Sequence, residues 1–164
     1  MGMQTDVLSA HLNQSGLMVP ERTRLKGVIG TGTNTAGTVN LWDSTVAQTS
    51  ATYGRSGNTI TVTSNAHGLK VGQGVGLTFA ANGATNGNYV VQTAATNTFT
   101  VTDINAGTVS GGTACSYNTR WLMSFDTNAS NDVVTLLIPG EGIVARNGIY
   151  AQLTSQTSLT IYYG

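Results

Sequence analysis

Charge is scarce in this chain. Seven Lys plus Arg balance seven Asp plus Glu, together 9% of 164 residues, where an average soluble domain has about 25%. With no basic surplus to neutralise phosphates, general nucleic-acid binding is excluded as an expectation. A single cysteine rules out a disulfide framework and any zinc site built on cysteine pairs. No apolar run approaches the ~18 residues of a membrane-spanning helix, so no membrane partner is expected. The opening MGMQTDVLSAHLNQSGL has neither a basic n-region nor an apolar h-region, and no secretory leader is expected. Proline occurs only twice and histidine twice.

What replaces the missing charge is Gly, Thr, Asn and Ser, which fill 74 of the 164 positions. The hydrophobic share of 40% is enough for a packed core, which excludes a disordered tail. The length suits one domain or two small ones. A monomer stays dissolved through interspersed charge and some net charge. This chain has little of either, and its composition suits an assembly.

The periodicity is almost wholly two-residue, the mark of half-buried strands. It runs through Asn58–Ser64, Thr98–Thr102, Gly37–Leu41 and Ser158–Tyr162. More continuous apolar runs at Trp121–Phe125 and Val133–Ile138 predict strands buried on both faces. Turn signals separate them at Ser56-Gly57, Asn82-Gly83, Asn86-Gly87, Gly111-Gly112 and Asn147-Gly148. Within Met3–Leu12 a weak helix pattern competes with an equally good strand pattern. The expected fold is all-β: a jelly-roll-like β-sandwich, 22–54 plus 119–164, carrying an inserted β-barrel-like module, 55–118, behind an N-terminal arm, 1–21. The module would be entered at Ser56-Gly57 and left at Asn118-Thr119, two crossings that must lie close together.

No motif proposes catalytic chemistry, a cofactor or a metal. The glycine cluster Gly68–Gly76 is followed by a strand, Leu77–Phe79, where a phosphate-cradling loop needs a helix N-terminus. It reads as a tight turn. Neither His11 nor His67 has a carboxylate within its motif, and no G-x-S-x-G elbow occurs, so a hydrolase triad is not indicated. His67 is expected to bond backbone at the turn Ala66-His67-Gly68. Asp126-Thr-Asn-Ala-Ser-Asn-Asp132 spaces its oxygens like the start of a calcium loop. Asn131 stands where that loop needs Gly, however, and Leu137 where it needs Glu, so a hairpin turn is the better reading. Asp6, Asp43, Asp103 and Glu141 are scattered. Cys115, in the strand Thr113–Tyr117, reads as a small buried hydrophobe. The candidates for partner contact are apolar: Leu17, Met18 and Val19 in the arm, and Tyr162-Tyr163, which must face opposite sides of a strand.

Two stretches carry a resemblance. The order Thr59–Thr63, His67-Gly-Leu-Lys-Val-Gly72-Gln-Gly-Val75, Gly87-Asn-Tyr-Val-Val91 and Thr98-Phe-Thr-Val101 resembles a small β module of phage tail and head proteins. The outer segments Arg24–Ile29, Ile138–Ile143 and Asn147–Tyr150, through to the closing Thr160-Ile-Tyr-Tyr-Gly164, resemble small virion structural proteins of marine and cyanobacterial phages. The resemblance implies a capsid decoration (cement) protein made in the host cytoplasm and bound to the outer surface of the virion head. Its implied partners are the major capsid protein and further copies of itself, as a trimer. A tail, neck or fibre-base protein is the alternative. A host-glycan-binding module is a second one, which an exposed planar patch at Trp42 or Trp121 would favour. The resemblance implies no catalytic residues.

Overall fold

A computed structural model describes residues 7–80 and 83–164. Every regular element among them is a strand, and the sheets are antiparallel. The described residues form two compact units: the chain up to Ala47 with Leu122–Gly164, and Gln48–Trp121 between them.

The outer unit is a two-sheet sandwich. One sheet has the order β1 (Leu8–Leu12), β14 (Gln156–Tyr163), β3 (Thr23–Gly32), β11 (Val133–Leu137), with β12 (Ile143–Ala145) also on β3. The other has the order β10 (Trp121–Thr127), β4 (Gly37–Trp42), β13 (Ile149–Thr154), β2 (Gly16–Val19). Alternate residues of both sheets meet in one core, with Leu25, Val28, Leu159 and Ile161 from the first and Val39, Leu41, Ile149 and Ala151 from the second. Gly30 and Gly32 on β3 make room for side chains of β10. A Cβ on Gly30 would lie 2.8 Å from the Phe125 ring, and one on Gly32 would lie 2.9 Å from the Thr127 hydroxyl.

Two expectations fail here. The residues expected to form an arm supply β1 and β2, one strand to each sheet, and Met18 and Val19 are buried in the core. An apolar pair in a short strand stabilises more by burial than by waiting for a partner; residues 1–6 lie outside the described set. The second failure is the expected hairpin between Trp121–Phe125 and Val133–Ile138. Their strands belong to different sheets, so 128–132 is a crossover between layers, with Asn131 in the left-handed region at φ 52°.

The inner unit is built on a long ribbon. β5 (Thr49–Thr63) pairs with β9 (Thr98–Asn118) from Thr49↔Tyr117 to Thr63↔Thr98. β6 (Gly74–Phe79) and β7 (Gly87–Val90) extend the sheet, and β8 (Thr93–Ala94) pairs the first half of β9. Tyr53, Ile60, Val62, Leu77, Phe99 and Val101 lead its separate core. Here Phe99 stands edge-on to Tyr117 at 5.5 Å and to His67 at 5.1 Å. The unit begins at Gln48, not at residue 55, because β5 is paired well before Arg55. Ser56-Gly57 and Gly111-Gly112 are therefore not turns. Gly57 (φ 59°) and Gly112 (φ 89°) sit where the β5–β9 register slips, between Gly57 and Thr59 and between Tyr53 and Arg55. An extra residue with positive φ bends a ribbon there without ending it.

Candidate functional site

The sheet β1-β14-β3-β11 has an inner face in the core and an outer face to solvent. Strand register places Tyr162 of β14 beside Gly27 of β3, with Leu137 of β11 on the other side. Gly27 has no side chain of its own, and Leu137 and Tyr162 both lean over it, their Cδ2 atoms 3.4 and 3.6 Å from where a Cβ would be. Two residues along, Thr160, Ile29 and Thr135 are abreast, followed by Val133 beside Thr31. Leu137 is 82% exposed and Val133 64%, while Ile29 and Tyr162 are half-buried. The result is an outer face on which Leu137, Val133, Ile29 and Tyr162 alternate with the hydroxyls of Thr160, Thr135 and Thr31, and His11 stands beside Thr160 at its β1 margin.

Tyr162 thus joins a surface that the sequence pointed to only in part. Tyr163 turns the other way and packs on the sandwich core, as alternation requires. Leu17, 41% exposed, lies opposite Tyr150 in the other sheet and is not brought to this face. Leu137 and Val133 were missed because Val133–Ile138 reads as a strand buried on both faces. In fact β11 is the edge of its sheet, and burial alternates along it. Thr135 at its centre was the available signal, because it marks one side as polar-tolerant.

The inner unit holds the most organised polar cluster. Arg55 and Asp103 form an ion pair at 3.3 Å, with only 4% and 1% of their side chains exposed. The Arg55 guanidinium also donates to the carbonyls of Gly57 (3.0 Å), Gly83 (2.6 Å) and Asn105. Asp103 accepts from the Thr85 and Asn105 backbone N–H groups. Burial pushes the Asp103 carboxyl up, but the two N–H bonds and the guanidinium outweigh it and hold it below the ordinary carboxylate range. Nearby, burial first and the Asp103 charge second push the Tyr89 phenol up to about 12, and its hydroxyl donates to the Thr85 carbonyl. An open groove of about 560 Å³ runs past Tyr89, Asn86, Asn88, Gln92 and Arg120. Every polar bond named for the Arg55–Asp103 pair ties one piece of backbone to another, so the pair is a structural clasp.

The remaining candidates have local roles. His67 Nδ1 accepts from the Leu69 N–H at 3.0 Å, the backbone bond expected of it. His11 meets the Thr160 hydroxyl at 2.9 Å across β1 and β14. Asp126 accepts from Thr38 and Asp132 from the Asn128 N–H, so the two carboxylates of that loop address separate donors. Asp43 is buried and caps the Arg146 and Asn147 N–H groups at 2.8 and 2.7 Å. Cys115 is buried, and burial raises its thiol to about 11, which leaves almost no thiolate near neutral pH. Trp42 is fully buried and Trp121 half-buried, so Trp42 forms no part of an exposed planar patch. Among the described residues no group of three or more His, Cys, Asp or Glu side chains stands together, and no helix is long and apolar enough to cross a membrane.

Comparison with known proteins returns nothing: no family model, no curated protein and no solved structure matches the chain.

Proposed function

We propose that this chain is a structural protein of a phage virion, and that it decorates and stabilises the head by binding the outside of the assembled shell. The observation that carries the reading is the outer face of the sandwich, where the exposed Leu137 and Val133 and the half-buried Ile29 and Tyr162 stand among threonine hydroxyls. Contiguous exposed apolar side chains mark protein–protein contact, and an aromatic such as Tyr162 is a frequent anchor. The placement on a head rests on the resemblance of the two sequence stretches. A decoration protein needs no pocket chemistry. It needs a repeated weak contact that sums over a symmetric shell, and it stabilises the shell by binding the assembled form in preference to free subunits.

The test is to incubate purified protein with emptied, expanded phage heads and image them. Regular density over the shell is expected. Tyr162→Glu is expected to lower occupancy about tenfold or more, the loss of one anchor worth at least about 1.4 kcal/mol. Density confined to the tail vertex would move the protein to the tail or neck, and bare shells would reject virion decoration altogether.

A further inference from the structure

Strand β11 is an edge, and its backbone bonding is legible from its neighbours. The Ile138 N–H donates to the Lys26 carbonyl, and the Gly32 N–H to the Asp132 carbonyl. With the register Val134↔Gly30 and Leu136↔Val28, the groups that face β3 are those of residues 132, 134, 136 and 138. In an antiparallel ladder the alternate residues point the other way. The N–H and C=O groups of Val133, Thr135 and Leu137 therefore lie along the open side of the sheet, where no strand pairs β11 among the described residues. Their side chains are also the ones on the outer face, with Leu137 and Val133 strongly exposed.

Natural sheets blunt such edges with charge, proline, bulges or shortness. Val133-Val-Thr-Leu-Leu137 contains no charged residue, no proline and no glycine. Its register with β3 is unbroken over all five residues. Other edges differ: β2 and β7 have four residues each, β10 carries Asp126, β1 carries the His11 imidazole bonded to Thr160, and the long edge β5 is broken by register shifts at Tyr53/Arg55 and Gly57/Thr59. The β11 edge is also self-complementary. Turned by a two-fold axis through Thr135, a second β11 places Thr135 opposite Thr135 and Val133 opposite Leu137, twice. All three facing pairs are then of the hydrogen-bonded kind, each exchanging both N–H···O bonds. Leu–Val and Thr–Thr are favourable cross-strand neighbours. Any shift of register breaks this match, and a shift of one residue turns the bonding groups away from each other.

We propose that β11 pairs antiparallel with β11 of a second copy of this chain, centred on Thr135, so that the two outer-unit sheets become one continuous sheet. The apolar side chains Leu137 and Val133 then meet their counterparts across the axis, covering carbon that each copy alone leaves in water. This contact is isologous, and it makes a two-fold pair, not the trimer expected from the sequence, the elementary association of the free protein.

The full chain tests this without any shell, so its outcome is independent of the proposed decoration role. Light scattering after size exclusion is expected to give twice the monomer mass. Thr135→Pro removes only an N–H that points off the edge, a place where strands tolerate proline. It is expected to keep the fold, checked by circular dichroism, and to lose the dimer. Leu137→Lys is expected to shift the dimer toward monomer as well, and decides the matter if the proline variant does not fold. Register is read by oxidation: facing Thr135 Cα atoms stand about 5.5 Å apart, within the roughly 4.4–6.8 Å a disulfide spans. Thr135→Cys should cross-link two chains and Val133→Cys should not, while Cys115 stays buried. A monomer at all concentrations overturns the proposal. So does a trimer or larger oligomer that Thr135→Pro leaves intact, or cross-linking equally good from either cysteine. Binding of the edge to a capsid strand while the free chain stays monomeric would also overturn it.

Discussion

At the scale of single residues, Asp103 and Arg55 are the most consequential pair. They are 48 positions apart, and nothing in the local sequence of either announces the other. What joins them is the bent β5–β9 ribbon, whose register passes from Tyr53↔Thr113 to Arg55↔Val109 and then to Thr59↔Thr102. Breaking a buried pair by removing one partner leaves an uncompensated charge and costs about 3–5 kcal/mol. Asp103→Asn is expected to lose that much in denaturant unfolding. The pH dependence has a definite sign. A carboxyl held lower when folded than when unfolded contributes its stability in full above the unfolded value, about 3.9. That contribution is lost as the pH falls through the lower folded value. An acid titration followed by near-UV circular dichroism should therefore show the native protein losing stability below about pH 4 and Asp103→Asn losing less over the same interval. Equal acid sensitivity in the two proteins would show that Asp103 is not the group responsible.

At the scale of elements, what the sequence discloses depends on whether an element's environment is local. Alternation places the central strands well: Asn58–Ser64 falls within β5 but for its last residue, Thr98–Thr102 opens β9, and Gly37–Leu41 is β4 less its last residue. It also separates Tyr162 from Tyr163 correctly. It fails at β11, because a run such as Val-Val-Thr-Leu-Leu looks the same in a sheet centre or at an edge. The difference lies in which strand is absent next to it. The glycine pairs fail for a related reason: Gly57 and Gly112 carry turn-like φ values, yet the ladder resumes beyond each of them. At β3 the glycines have another use, because Gly30 and Gly32 lie under Phe125 and Thr127. Gly30→Val would drive two methyl groups toward the Phe125 ring. Overpacking of this kind costs about 1–3 kcal/mol, and thermal melting should fall accordingly, whereas Gly111→Ala, with nothing within 4 Å of its Cβ, should change little.

At the scale of the whole molecule, two cores imply two cooperative units. The inner unit has adjacent ends, since Thr49 pairs with Tyr117 and the Gly76 N–H donates to the Thr119 carbonyl at 2.7 Å. Residues 48–121 expressed alone are expected to fold, with dispersed amide resonances and a cooperative melt that Asp103→Asn lowers. A fragment without cooperative melting would mean that its core depends on the outer strands. The threonine-rich texture of the inner segment was legible, but aromatics do not mark it, since six of the eleven lie within 48–121. Its boundaries were not legible, because the first residues of β5 and the last of β9 have the same threonine- and serine-rich composition as the rest of the ribbon.

The closed neck of that insertion has a kinetic side. In the outer sandwich β4 and β10 are neighbours, although the chain between them runs from Asp43 to Arg120. Bringing together the ends of a flexible segment this long carries an entropic cost of roughly 4 kcal/mol by the logarithmic law of loop closure, which has to be met before the sandwich gains its own contacts. Once the β5–β9 ribbon has zipped, Thr49 and Tyr117 are already side by side and most of that search is over. The ribbon then acts on the outer strands as a temporary cross-link does on an unfolded chain. The ribbon closes the shorter segment, residues 64–97, so by loop length it is expected to form before β4 meets β10.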